Sequence, residues 1–165
     1  MKTFPFFACL LIPSLLASSA HAEGLRVGAA HTKITPELGV PMAGYYHERG
    51  AQAVHDDLFS RAIVLEKDDV KAALVSLDLI STRRAFVERA RALIAERTDI
   101  PGEHVMISAT HAHTGPVLLD ASARDAGIAQ DGERARGYLA SLPEWIADSV
   151  AQANEALEPA QALRA

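Results

Sequence analysis

The chain of 165 residues has one cysteine, Cys9, and only 5% aromatic residues. A single thiol excludes an internal disulfide and a thiolate-built metal centre. Scarce aromatics leave Ala, Val, Leu and Ile to fill the core. There is no excess of positive charge: 16 Lys and Arg stand against 21 Asp and Glu, a net charge of −5 with neutral histidines. That balance argues against nucleic acid as a partner and against electrostatic adhesion to an anionic membrane. Internal repeats and low-complexity linkers are also missing. The longest apolar run, Thr3 to Ser19, contains Pro5 and Pro13 and falls short of the ~20 residues a membrane-spanning helix needs.

What is present begins with that run. Lys2 precedes it, Ala20-His21-Ala22 places small residues where a signal peptidase reads them, and Glu23 opens a polar region. This is the layout of a secretory signal peptide, residues 1–22, with the mature chain starting at Glu23 and secreted or periplasmic. Cys9 lies inside the apolar run, so cleavage leaves no cysteine. The mature chain, 23–165, then carries 15 basic and 21 acidic residues and is long enough for one domain with its own core.

Along the mature chain, Leu25 to Ala30 reads as a strand. Thr35-Pro36, Gly39, Pro41 and Gly44 punctuate a long loop that passes Tyr45 and Tyr46 to His55-Asp56. Phe59 to Glu66 and Val70 to Asp78 read as a hairpin across Lys67-Asp68-Asp69. Helical spacing of Phe86, Val87, Ala90, Leu93 and Ile94 predicts a helix from Arg83 to Arg97, with Thr82 as N-cap and Ile100-Pro101-Gly102 as its stop. Val105 to Ala109 is the next strand, completing a strand-helix-strand unit whose strands should run parallel. After a loop containing Gly127, a long amphipathic helix is expected from about Glu133 to Leu157. Tyr138, Leu142, Trp145, Ile146 and Val150 lie on its apolar face, and Pro143 is expected to kink it. Ala160 to Ala165 resembles the start of another strand, so the chain is expected to be a fragment; a frayed tail is the alternative. The fold class is therefore α/β: a mixed sheet with a strand-helix-strand unit and a long C-terminal helix.

One dense cluster could carry chemistry: Ser108-Ala109-Thr110-His111-Ala112-His113-Thr114-Gly115-Pro116. It follows a strand at the carboxyl end of the crossover unit, where open α/β sheets place ligands. In extended backbone, residues two apart point the same way, so His111 and His113 can aim both imidazoles at one point. Neutral imidazole suits zinc. Two solvated histidines are the other reading, and a catalytic zinc normally takes three protein ligands. Gly115-Pro116 would end the strand and let a substrate approach the backbone. His55-Asp56-Asp57 is either a ligand or supporting cluster or a solvated turn. Asp78 either faces the same crevice or is a turn residue before the helix, and His104 is expected at the surface. Asp78 and Asp56 are the candidates for a carboxylate that orients a metal-bound histidine.

The stretch from Ile107 to Pro116 resembles the S-[AG]-T-H-T-H-[ST]-G-P signature of the neutral, non-lysosomal ceramidases. Three further stretches are similar in order and spacing. Val27-Gly28-Ala29-Ala30 with Ile34-Thr35-Pro36 resembles V-G-x-x-x-x-D-I-T-P, and Pro41-Met42-Ala43-Gly44-Tyr45 resembles M-x-G-Y. His55-Asp56-Asp57-Leu58-Phe59-Ser60-Arg61-Ala62 resembles H-D-P-L-x-A-R-A. The resemblance covers Leu25 to about Leu157. It implies that residues 23–165 are the N-terminal portion of an incomplete catalytic domain of a zinc-dependent amidase, cleaving the N-acyl bond of ceramide or a related small molecule. Membrane contact would come only through the lipid substrate. It further implies that His111 is a zinc ligand and that His113 lies beside it in the substrate and water site. The family's remaining ligands, another His, a Glu and a Tyr, and its essential Ser come later in the family's sequences than any residue here. Ala112 replaces the Thr of longer members, and Lys33 their usual Asp. Two other classes compete: a non-enzymatic exported metal- or lipid-binding domain, and an unrelated amidohydrolase-type metal hydrolase. The latter also uses His-x-His, but normally after its first strand, whereas here two or three strands precede it.

Overall fold

The computed structural model describes residues 24–44, 47, 49–118 and 133–162. The leader at 1–22, the cleavage point before Glu23, Tyr45, Tyr46, the loop around Gly127 and residues 163–165 lie outside the described residues. The elements are β1 (Arg26–Lys33), β2 (Phe59–Lys67), β3 (Val70–Leu77), α1 (Arg84–Arg97), a 3₁₀ turn (Gly102–His104), β4 (Val105–Ala109), α2 (Glu133–Glu155) and β5 (Glu158–Pro159). They form one five-stranded mixed sheet in the order β4-β3-β2-β1-β5.

The hairpin of β2 and β3 closes on Asp68 and Asp69, both at positive φ (49° and 63°). Two left-handed residues give the turn whose twist matches paired strands, and Asp tolerates that region better than most side chains. The crossover through α1 returns β4 parallel to β3, with Ala73 opposite Val105 and Leu77 opposite Ala109. β1 pairs antiparallel with β2 from Arg26 opposite Glu66 to Lys33 opposite Phe59. The strand thus runs three residues beyond Ala30, because β2 is long enough to pair His31, Thr32 and Lys33 despite their polarity.

The helix termini differ from expectation. Arg83, not Thr82, holds the N-cap position of α1 and makes no side-chain cap; its Nε donates instead to the Leu118 carbonyl at 3.2 Å. The helix stops before Ile100. The Thr98 hydroxyl donates back to the Ile94 carbonyl at 2.7 Å, and Gly102 belongs to the 3₁₀ turn. α2 ends at Glu155, with Pro143 inside it and buried. The chain then pairs with β1 through Glu158-Pro159, earlier than the stretch beginning at Ala160; the Ala160 amide donates to the Leu25 carbonyl at 2.8 Å.

α2 packs across β1 and β2 and against α1. Val64, Val75, Leu77, Ile94, Leu142, Ile146 and Val150 form the core between sheet and helices. At the α2–β2 contact, the buried Ser149 hydroxyl donates to the Ile146 carbonyl at 2.8 Å and accepts from the buried Ser60 hydroxyl at 2.9 Å. Gly28 permits the close approach of α2 to β1: a Cβ there would stand 1.9 Å from the Ala153 carbonyl oxygen. The opposite sheet face carries Ile63, Leu74 and Met106 in register across three strands, all exposed. No helix among the described residues is long and apolar enough to cross a membrane.

Candidate functional site

Beyond the ends of β3 and β4 the two chain segments stay side by side. Thr110 donates its amide to the Leu77 carbonyl at 2.9 Å, and Ala112 donates to Leu79 at 3.1 Å. Between them His111 adopts φ of 64°. A non-glycine residue is uncommon in this left-handed region and persists where its surroundings over-determine it. Here the flanking amide bonds do so, and the imidazole completes the arrangement: Nδ1 of His111 lies 2.8 Å from the Ile80 carbonyl oxygen. A carbonyl only accepts, so Nδ1 carries the proton, and in the neutral ring Nε2 keeps its lone pair.

His111 and His113 do come together, with Nε2 atoms 3.4 Å apart and ring centroids 5.0 Å apart at 75°. The route differs from strand alternation. β4 ends at Ala109, and the left-handed turn at His111 swings the two rings toward each other. Neither side chain is buried. A separation of 3.4 Å is long for a hydrogen bond between ring nitrogens.

The neighbouring hydroxyls are committed to backbone. Ser108 donates to the Val75 carbonyl and Thr110 to the Leu77 carbonyl, each at 3.2 Å, so both serve the sheet end and neither is aimed at the imidazoles. The expected carboxylate support is replaced by the Ile80 carbonyl. Asp78 is taken up elsewhere, accepting from Arg61 Nη1 at 2.5 Å and from the Phe59 amide at 2.9 Å. Asp56 pairs at 2.7 Å with Nδ1 of His55, on an exposed stretch. His104 is at the surface, its Nδ1 2.9 Å from the Lys71 carbonyl. Gly115 is not a strand end open to substrate, since a Cβ there would lie 3.0 Å from both the Asp78 carbonyl oxygen and Leu79 Cδ2. It is packed against the end of β3.

The long loop after β1 docks on the histidine segment. The Ala43 amide donates to the Gly115 carbonyl at 2.8 Å and Val117 to the Pro41 carbonyl at 3.0 Å, around a bridge of Met42 with Pro116. Between this loop and His113 lies a cleft of about 530 Å³, lined in part by Thr35, Met42, Val54, His55, Leu58 and Thr114. Its walls are mostly apolar, and His55 and Asp56 share it with His113. Thr35 shapes one wall: its hydroxyl donates to Asp57 Oδ1 at 2.8 Å and accepts from the Leu58 amide at 2.9 Å. The Thr35 hydroxyl first, and Lys33 second, hold the Asp57 carboxyl below its ordinary range. The role of Ile80 is carried by backbone and leaves no mark in its side chain. The docking of Met42-Ala43-Gly44 is equally silent in the residues, which signal a turn and nothing of what the turn rests on.

No group of three or more His, Cys, Asp and Glu side chains is placed to hold a metal among the described residues. No family model matches the sequence, and no curated protein does. Solved structures do. The chain superposes on neutral ceramidase from Pseudomonas aeruginosa with a TM-score of 0.72 and 26% identity, covering 82% of this chain and 22% of that one. A ceramidase complexed with C2 matches with the same score, identity and coverage. The chain spans about a fifth of the length of these neighbours. The mixed five-stranded sheet with its two helices thus has the fold of part of a neutral ceramidase.

Proposed function

We propose that this chain supplies the first histidine pair of a zinc-dependent amide hydrolase of the neutral ceramidase type, acting on N-acylsphingosine or a related N-acyl lipid. The observation that carries the reading is the pair of Nε2 atoms 3.4 Å apart, with Nδ1 of His111 fixed on the Ile80 carbonyl. The freed Nε2 of His111 is a donor of the type zinc takes, and Nε2 of His113, 3.4 Å from it, stands where it would meet water or substrate beside that ion. His111 would hold it, its ring oriented by the Ile80 carbonyl and locked in the tautomer that leaves Nε2 free. His113 would stand beside it on the cleft side, in the substrate and water site. When bound, zinc supplies Lewis-acid polarisation of an amide carbonyl and activation of water near neutral pH. The apolar cleft against His113 is suited to part of an acyl chain, with Met42, Val54 and Leu58 among its apolar lining. The neighbour solved in complex with C2 supports a lipid-like substrate for the same fold.

Zinc titration of the full chain, with the His111→Ala and His113→Ala variants, tests the reading. Two imidazoles hold zinc weakly in the absence of a third protein ligand. His111→Ala should remove binding altogether, and His113→Ala should weaken it less. Binding that survives His111→Ala would sink the ligand assignment.

A further inference from the structure

The segment Pro41–Gly44 does more than wall the cleft. Gly44 has φ of 91°, and a Cβ built on it would lie 2.6 Å from Nδ1 and 2.7 Å from both Cβ and Cγ of His113. These are distances that real Cβ atoms do not tolerate, and the obstacle is the imidazole itself together with the base of its side chain. The backbone cannot easily yield, because Ala43 is tied to Gly115 by a 2.8 Å hydrogen bond and Met42 bridges to Pro116. The His113 ring is therefore confined between two neighbours: the bare Cα of Gly44 on one side, and His111 on the other, 5.0 Å between centroids.

We infer that Gly44 is a positioning residue: its missing side chain sets the orientation in which His113 brings Nε2 to His111. This inference rests on the proposed site, with His111 as zinc ligand and His113 beside it, and it adds the element that sets the spacing of the two rings. A methyl group at position 44 displaces the His113 ring, moves its Nε2 away from that of His111 and leaves His111 on Ile80 undisturbed.

Gly39 provides the control. It lies in the same loop with φ of 89°, but a Cβ there meets only the terminal Nη1 of Arg134, at 3.3 Å. Gly39→Ala therefore reproduces the backbone strain without touching a histidine. Zinc affinity of the full chain would be measured by calorimetry for wild type, Gly44→Ala, Gly39→Ala, His113→Ala and the Gly44→Ala/His113→Ala pair. Gly44→Ala should weaken zinc about 10-fold and no more than His113→Ala does, in the range seen when a group just outside the ligand set is disturbed. Gly39→Ala should leave affinity unchanged. In the His113→Ala background Gly44→Ala should add nothing, since its target is gone. Wild-type affinity in Gly44→Ala, or the same further loss in the His113→Ala background, overturns the inference.

Imidazole NMR resonances in metal-free protein give a second readout. Those of His113 should move in Gly44→Ala while those of His31 and His104 stay in place; an unmoved His113 overturns the inference. If wild-type protein binds no zinc, the metal reading fails and this arm alone decides the role of Gly44. Should Gly44→Ala fail to fold, the double variant must recover folding. Failure of both assigns the defect to backbone strain and overturns the contact with His113.

Discussion

The interior between the sheet and α2 and the loop cluster beyond the ends of β3 and β4 are held by different forces. In the interior, Val64, Leu142, Ile146 and Val150 are fully or almost fully buried, and stability comes from apolar area removed from water. In the loop cluster neither His111 nor His113 is buried, and their geometry comes from backbone hydrogen bonds, one left-handed residue and the missing side chain of Gly44. The first region can vary in detail and still pack; the second depends on a few close approaches. Stability and site geometry should therefore be separable by mutation.

The largest separation is expected at Leu142, which is fully buried. Leu142→Ala should cost about 3 kcal/mol in chemical denaturation, through lost burial and the cavity left behind. His111→Ala, on the loop cluster, should cost under ~1 kcal/mol. Comparable losses for the two would erase the distinction between a packed region and a positioned one.

A smaller effect tests whether the interior also depends on close approach. Gly28→Ala drives a methyl group into the Ala153 carbonyl oxygen and should destabilise by about 2 kcal/mol as α2 is pushed off β1. Gly24 is the neutral control, because a methyl group there would meet nothing within 4 Å. Equal melting temperatures for Gly28→Ala and Gly24→Ala would show that α2 gives way without cost.

The smallest effect concerns the polar wall of the cleft. The depressed Asp57 carboxyl favours the folded state above its ordinary, unfolded pKa, and that contribution is lost as pH falls through the lower, folded value. Thr35→Val removes the larger of its causes while keeping Lys33, so the Asp57 midpoint should rise toward the ordinary range in an NMR titration. An unchanged midpoint would assign the depression to Lys33 rather than to the Thr35 hydroxyl.

These contrasts follow how the elements announce themselves. β4 runs from Val105 to Ala109 as its apolar run indicates, and the hairpin turns at Asp68 and Asp69 as the break in hydrophobicity requires. Boundaries are less legible where partners decide them. β1 continues to Lys33 because β2 is there to pair with, and Arg83 displaces Thr82 at the start of α1 while its side chain reaches Leu118. At the site, the identity of the two histidines is plain in the residues, whereas their supporting group is not, since the nearby carboxylates are the chemically obvious candidates. Asp78 is instead engaged by Arg61 and the Phe59 amide, and the Ile80 carbonyl takes its place.

By itself, the sequence determined the existence of β1 to β4, the two helices, the parallel crossover and the placement of a histidine pair just past a strand. Those features follow from local periodicity, turn chemistry and the handedness of crossovers, all written in short stretches of residues. Only the tertiary structure decided that His111 would turn left-handed, that Ile80 would set its tautomer and that Gly44 would confine His113. The last two depend on backbone atoms brought in from segments 31 and 69 residues away, and a carbonyl or a missing Cβ has no side chain to declare its purpose.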